Sequence, residues 1–452
     1  MRKLLVAVTY LLFGQIGHAG NVAVIDSGID KEHAQISDVV WSNPKEIPGN
    51  GIDDDNNGFI DDFHGWNFGN NNHNLIDYRD EEHYSEDIAK FMDIQARSLM
   101  GATTKGEVKW AVSKLEEEGF VTSITAYGQY AHGTHVAGLM TRNLETSKLI
   151  DIRIMPQLRK EQQLELMAQV SAALDAEQDV HFILEFVIKG GLSLFARATG
   201  QIFENIALYL DAQDVRVANA SVGMGINQAR GFLTPILNLV TGGKADEELV
   251  DEYAVFFLKE AKKAQQKAFA KAENTLFVFA SGNDGIDNDV APTLPASISL
   301  LNTLSVGASI GNSAIAPFSS YGAASVDLFA PGVGIESAVP MDKTMSMTGT
   351  SQAAPMVANI AALILEANPK LTVTQVKKTL MSTIDRKEFL VGKAYTEGTL
   401  NKDRALMAAT LSLEMPLKEA LLESHRLVAD LKAEKPDISM PVLIGKPLMG
   451  LN

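Results

Sequence analysis

The chain has 452 residues, 46% hydrophobic and 21% charged, which is ordinary for a globular protein and too apolar for a disordered one. Its formal net charge of −17 argues against general binding to nucleic acid or anionic membranes, whose phosphates need a basic surface, and leaves cation binding open. It contains no cysteine, which removes disulfides, zinc–thiolate sites, iron–sulfur clusters and cysteine nucleophiles together.

Arg2 and Lys3 precede a mostly apolar run from Leu4 to Ile16, followed by Gly17-His18-Ala19-Gly20. A basic start, an apolar stretch of this length and small residues at its end read as a secretory signal peptide, residues 1–19, and predict a secreted or periplasmic protein. A buried first strand or helix is the alternative. The run is short for a membrane span, and no other segment reaches that length without charge, so the mature chain is expected to have no stable membrane insertion.

Short runs rich in Val, Ile, Leu and Phe at 22–25, 149–154, 215–218, 276–279, 303–307 and 326–329 predict buried parallel strands. Helical periodicity occupies 162–176, 201–212 and 247–271. A helix over 351–367 is apolar nearly all round, hence central, and Thr372-Val373-Thr374-Gln375 fits a capping box opening one more. The alternation predicts an α/β fold, a doubly wound parallel sheet with helices on both faces. Residues 70–130 and 178–200, polar or mixed and without strand signals, read as insertions. The main domain is expected over 20–410, with 411–452 as a C-terminal tail, docked or disordered.

Four motifs carry candidate chemistry. Val22–Ile25 runs into Asp26-Ser27-Gly28, a carboxylate at a strand end, where open parallel sheets collect functional side chains. Ala131-His132-Gly133-Thr134-His135 puts His132 at an expected helix start, which would expose its imidazole. His135, one turn on, is expected to be structural, since no further ligand stands nearby to complete a metal site. The strand at 276–279 leads into Ala280-Ser281-Gly282-Asn283, ending on an amide donor. Gly349-Thr350-Ser351 opens the buried helix, with Pro355 expected in its first turn. Each has a bland reading as a turn or cap residue. Together they supply the groups of acyl transfer: Ser351 as nucleophile, His132 as base, Asp26 to orient and stabilise the imidazolium, Asn283 to donate to the oxyanion.

A fifth motif, Asp53-Asp54-Asp55-Asn56-Asn57-Gly58 with Asp61 and Asp62, matches the start of an oxygen-ligand calcium loop. Asp53, Asp55, Asn57, Asp61 and Asp62 are the expected ligands of a structural Ca2+; a solvated acidic turn is the alternative. The twelfth position from Asp53 is His64 where an EF-hand has Glu, so the loop is not a full EF-hand. No organic cofactor is expected.

The order Asp-His-Ser, carried by DSG, HGTHVAG and GTSQAAP, resembles the subtilisin-like serine proteases over about residues 21–410. The resemblance implies an endopeptidase acting through an acyl-enzyme on extended polypeptides held by strand addition. It implies that Ser221, Val222 and Gly223 pair with the substrate backbone and that Ala280, Ser281 and Gly282 wall the primary specificity pocket. Pro295-Ala296 and Phe318–Gly322 also fall where similar segments occur, and similar acidic loops occur in some members. The gap from Asp26 to His132 exceeds that of compact members. Asp26 follows Ala19 by seven residues, leaving no room for the N-terminal folding domain that secreted members usually carry; folding unaided, a separate folding or inhibitory partner in its place, or a late start codon are the open readings. A non-catalytic scaffold, or an acyl transferase passing the acyl group to an amine, are the competing readings.

Overall fold

The computed structural model describes residues 19–154, 160–176 and 179–432; the expected signal segment up to residue 18 and the tail from 433 lie outside the described residues. Its strands are β1 (Asn21–Asp26), β2 (Gly65–Asn67), β3 (Leu149–Arg153), β4 (Val215–Ala220), β5 (Leu276–Ala280), β6 (Thr303–Ile310), β7 (Ala314–Ile315), β8 (Leu328–Pro331), β9 (Ile335–Val339), β10 (Lys343–Met347), β11 (Asp385–Arg386) and β12 (Gly398–Thr399). The six expected strands are β1, β3, β4, β5, β6 and β8. The last starts two residues later than expected because Val326 closes a turn, its N–H bonded to Gly322 O.

The main sheet runs β11-β12-β8-β6-β5-β4-β1-β3-β2, with β7 on β6. From β2 to β12 every neighbouring pair is parallel; β11 and β7 add antiparallel edges. The chain leaves β1 for β3 on one side and returns to β4 on the other. The sheet therefore reverses direction at β1, the place where open α/β sheets bind ligands beyond their strand ends.

The helices are α1 (Glu86–Leu99), α2 (Lys105–Leu115), α3 (Phe120–Met140), α4 (Lys160–Asp175), α5 (Val180–Phe182), α6 (Lys189–Ala212), α7 (Ile226–Thr241), α8 (Glu247–Phe269), α9 (Thr350–Ala367), α10 (Val373–Ser382), α11 (Lys402–Leu411) and α12 (Leu417–Leu427). A π-helical stretch, Ile183–Ile188, joins α5 to α6. The expected capping box opens α10: Gln375 N–H bonds Thr372 Oγ1, and Thr372 N–H bonds the Gln375 side chain.

Successive strand residues point to opposite faces, which sorts the core into two layers. Ala23, Ile25, Ile150, Ile152, Phe277 and Phe279 pack against α4, α6, α7 and α8. Val22, Val24, Leu149, Val217, Leu276 and Val278 pack against α3, α9, α10 and α11. Asp26 continues the even positions of β1, so its side chain emerges on the α3/α9 face.

The expected insertion at 70–130 is helical. Two of its helix starts carry legible signals: Ser85 caps α1, and Thr104 with Glu107 forms a capping box at α2. It has its own small core, in which Phe91, Phe120, Ile124 and Tyr127 pack with Met345 and Met347 of β10. The expected insertion at 178–200 is helical from Val180 on among the described residues, and lengthens the expected 201–212 helix back to Lys189.

The described part of the tail is docked. Arg404 on α11 is buried and donates to Asp385 Oδ1 (2.7 Å), Ile384 O (2.9 Å), Val428 O (3.0 Å) and Asp430 Oδ1 (2.6 Å), fastening the segment after α12 to the sheet edge. Removing one partner of a buried pair strands the other charge. Arg404→Ala is therefore expected to cost about 3–5 kcal/mol of stability, measured by denaturant unfolding.

Candidate active site

Asp26 and His132 meet on the α3/α9 face. His132 Nδ1 lies 2.7 Å from Asp26 Oδ1, which also accepts the Ser27 N–H at 2.8 Å. His132 does not stand at a helix start, as the sequence suggested, and it is not exposed: it is the thirteenth residue of the 21-residue α3 and only 1% accessible. The insertion supplies the reason. Phe120, Ile124, Tyr127 and Tyr130 recur at helical spacing and extend α3 upstream, where they bury against the insertion core.

The helix comes close because Gly133 has no side chain. A Cβ on Gly133 would stand 2.2 Å from Gly28 O, so only glycine lets α3 rest on the turn after β1. Gly133 N–H then bonds Ser27 Oγ (3.1 Å), and Asp30 N–H bonds Thr134 Oγ1 (2.9 Å). Asp26 Oδ2 and His132 Nε2 are both buried without a hydrogen-bond partner among the described residues.

Ser351 is the second residue of α9 and is buried. Its Oγ donates to Ser221 O (3.3 Å), so hydroxyl and imidazole are not bonded to each other here. Pro355 is the sixth residue of α9 and not in its first turn, contrary to expectation. Having no N–H, it leaves Ser351 O without its helical donor. Ser221 Oγ fills that role at 3.0 Å and itself accepts from Asn219 Nδ2 at 2.9 Å. The two serines are thus bonded reciprocally.

Asn283 follows β5 and is buried beside the start of α9. Its Oδ1 accepts both the N–H (2.9 Å) and the hydroxyl (3.0 Å) of Thr350, the residue before Ser351, which orients the amide. Of the expected substrate segments, Ser221 and Val222 are buried and Gly223 is partly exposed; Met224 beyond them pairs antiparallel with Leu294. Ala280 ends β5, and Ser281 and Gly282 are buried between it and Asn283. The structure brings Asp26 and His132 into contact, and gathers Asn283, Thr350, Ser351 and Ser221 at the start of α9.

The acidic loop divides its carboxylates between two tasks. Asp53 accepts the N–H groups of Asn57 and Gly58, and Asp61 those of Asn50 and Gly51, so both close turns. Asn57 Oδ1 accepts from Phe59 N–H, and its Nδ2 donates to Asp62. Asp55 and Asp62 converge with Glu46, each offering an oxygen within 4.8 Å of the others. Sequence reasoning missed Glu46, which lies outside the Asp-rich stretch. Its Oε1 accepts from the N–H groups of Asp54 and Asp55, while Oε2 is buried and unpartnered among the described residues. Burial pushes the carboxyls of both Glu46 and Asp62 up from their ordinary values. Tyr209 on α6, also missed, donates to Asp62 Oδ2 at 2.7 Å.

The subtilase family model matches residues 17–404, and the chain belongs to that family. It is 42% identical over 114 residues to alkaline elastase YaB of Bacillus sp. (strain YaB), covering 25% of this chain and 29% of that protein. It is 32% identical over 170 residues to subtilisin BL of Lederbergia lenta, covering 38% and 56%. It spans well under two thirds of the length of these relatives. Among solved structures it is similar to a cold-adapted subtilisin-like serine proteinase (19% identity, TM-score 0.42, covering 85% of this chain and 88% of that one). It is also similar to the epidermin leader peptide processing serine protease of Staphylococcus aureus (17% identity, TM-score 0.46, covering 86% and 76%).

His135 is structural in this arrangement, as the sequence suggested. Its Nε2 reaches both Ile335 O and Met345 O at 3.0 Å, pinning β9 and β10 to α3. Burial holds its imidazole down to about 3. Only the unfolded chain then takes up this proton, so the stability it contributes is complete above about pH 6.5 and is lost as pH falls toward 3. The stability advantage of the wild type over His135→Gln is expected to shrink by about 1.4 kcal/mol per pH unit below 6.5, measured by urea unfolding between pH 7 and 4.5.

Proposed function

We propose that the chain is an exported serine endopeptidase that hydrolyses peptide bonds through Asp26, His132 and Ser351, with Asn283 as oxyanion donor. The observation that carries this is the buried 2.7 Å contact of Asp26 with His132 Nδ1, which leaves Nε2 buried and unpartnered on the face where α9 begins with Ser351. With Nδ1 donating to a carboxylate, Nε2 is the basic nitrogen of the neutral ring.

The reaction follows from these roles. The Ser351 hydroxyl leaves Ser221 O and turns to His132 Nε2. As Oγ attacks the substrate carbonyl, Nε2 takes its proton and Asp26 stabilises the imidazolium. The carbonyl oxygen becomes an oxyanion and accepts from the Asn283 amide, whose oxygen is already committed to Thr350. The imidazolium gives its proton to the leaving amine, and water repeats the sequence on the acyl-enzyme. An extended substrate would add its backbone to Ser221–Gly223 and set a side chain against Ala280–Gly282. A fluorophosphonate probe is expected to label wild type and not Ser351→Ala, which also loses casein cleavage. Asn283→Ala is expected to label but to cleave about 10²–10³-fold more slowly. An unlabelled, folded wild type would favour the scaffold reading.

We also propose that a structural Ca2+ is held by Glu46, Asp55 and Asp62. The fit rests on Glu46 Oε2: it is buried, lacks a donor among the described residues, and converges with two other carboxylates. Three hard oxygen donors suit this cation, which would neutralise crowded carboxylates. Asp53 and Asp61 serve the site by shaping its turns, and Tyr209 ties it to α6. Saturating Ca2+ at about 100 times Kd is expected to stabilise by about 2.7 kcal/mol, or about 3 °C in Tm. Chelation should remove that gain in wild type, and Glu46→Gln should show little gain to remove.

A further inference from the structure

Asp151 on β3 is a buried ionisable side chain that the proposed reaction does not use. Register pairs it with Val24, two residues before Asp26, so it shares the α3/α9 face with that carboxylate. Its Oδ2 accepts the Ile29 N–H at 3.0 Å, and its Oδ1 is buried with no partner among the described residues.

Ile29 lies in the turn from Ser27 to Asp30 on which α3 is seated. The bonds from that turn to α3 go to Gly133 and Thr134, the two residues after His132. On the opposite side a Cβ on Gly28, whose φ is +113°, would stand 1.9 Å from Leu75 O. The turn is thus gripped by the helix of His132 on one side and by the Asp151 carboxyl from the neighbouring strand.

We propose that Asp151 is a positioning residue for the Asp26–His132 pair: by holding the Ile29 N–H it fixes the turn that sets α3 against the end of β1. The inference takes from the proposed function only the importance of that pair. Charged and titratable groups around Asp151 are Asp26 from β1, Lys31 from beyond the turn, Arg153 from β3 itself and His64 from the segment before β2. Burial, with a smaller contribution from the charge on Asp26, pushes the Asp151 carboxyl well above the usual range; the Ile29 N–H, Arg153 and Lys31 pull the other way. The carboxyl accepts the Ile29 N–H through one oxygen. Asparagine reproduces that acceptor in the same shape, and leucine, of similar size, does not.

The test compares wild type, Asp151→Asn and Asp151→Leu in the full-length protein. The first readout is the low-field proton resonance of His132 Nδ1–H. The second is inactivation by diisopropyl fluorophosphate, with the limiting rate kinact separated from KI. Asp151→Asn is expected to keep the resonance and a kinact within about threefold of wild type. Asp151→Leu is expected to shift or lose the resonance and slow kinact about tenfold, with KI within about twofold, as misplacement of a catalytic pair predicts. An unchanged resonance and kinact in Asp151→Leu, or equal damage in Asp151→Asn, overturns the proposal. If Asp151→Leu does not fold, Asp151→Ser, whose hydroxyl is too short to reach Ile29, takes its place with the same expectations. A wild type that never reacts would refute the serine reading, and the resonance would still decide the role of Asp151.

Discussion

A carboxylate with no access to water is tolerated only where it is paired and hydrogen-bonded. Asp26 is in that position, and much of the architecture serves its bond to His132. β1 has to end at an even position so that the side chain leaves on the α3/α9 face. α3 has to approach the following turn closely enough that only glycine fits at 133. α9 has to begin on that same face, and the reversal of strand order at β1 keeps the ground beyond the strand ends clear for it.

The two enlargements of the chain work on different neighbours of this centre. The helices between β2 and β3 build a small core against β10, and β10 leads within a few residues to Ser351. α6, which the second enlargement lengthens, brings Tyr209 to Asp62, and the rings of Phe59, Phe68 and Tyr209 pack edge to face, with centroids 5.0–5.8 Å apart. One addition braces the side of the molecule that carries the histidine. The other lengthens the helix that reaches the acidic loop.

Most of the sheet was legible because parallel buried strands write themselves as runs of Val, Ile, Leu and Phe, and the strand-end motifs followed from those runs. What was not legible was tertiary. Nothing near His132 announces that α3 starts at Phe120, since Gly128 and Gly133 dilute the helical pattern that Ile124, Tyr127 and Tyr130 supply. Glu46 could not be joined to Asp55 and Asp62 by spacing, because the loop folds back to meet it. The place of Pro355 depended on where α9 starts, and its consequence for Ser351 O depended on Ser221, a residue just past the end of β4. Asp151 reads in sequence as a polar break in an apolar strand, and only the register shows which backbone it holds.

The uninterrupted course of α3 has a mechanical consequence. At 1.5 Å per residue the helix is about 30 Å long, with about 18 Å lying ahead of His132 and about 12 Å behind it. Treated as a rigid rod held at Met140, it would carry the imidazole partway along its arm. A sideways displacement of 1 Å at Phe120 would move His132 by about 0.4 Å, close to the roughly 0.5 Å within which catalytic groups must be held. A load on the outer end of this rod would be felt, geared down, at the nitrogen to which the proposed reaction assigns the proton transfer.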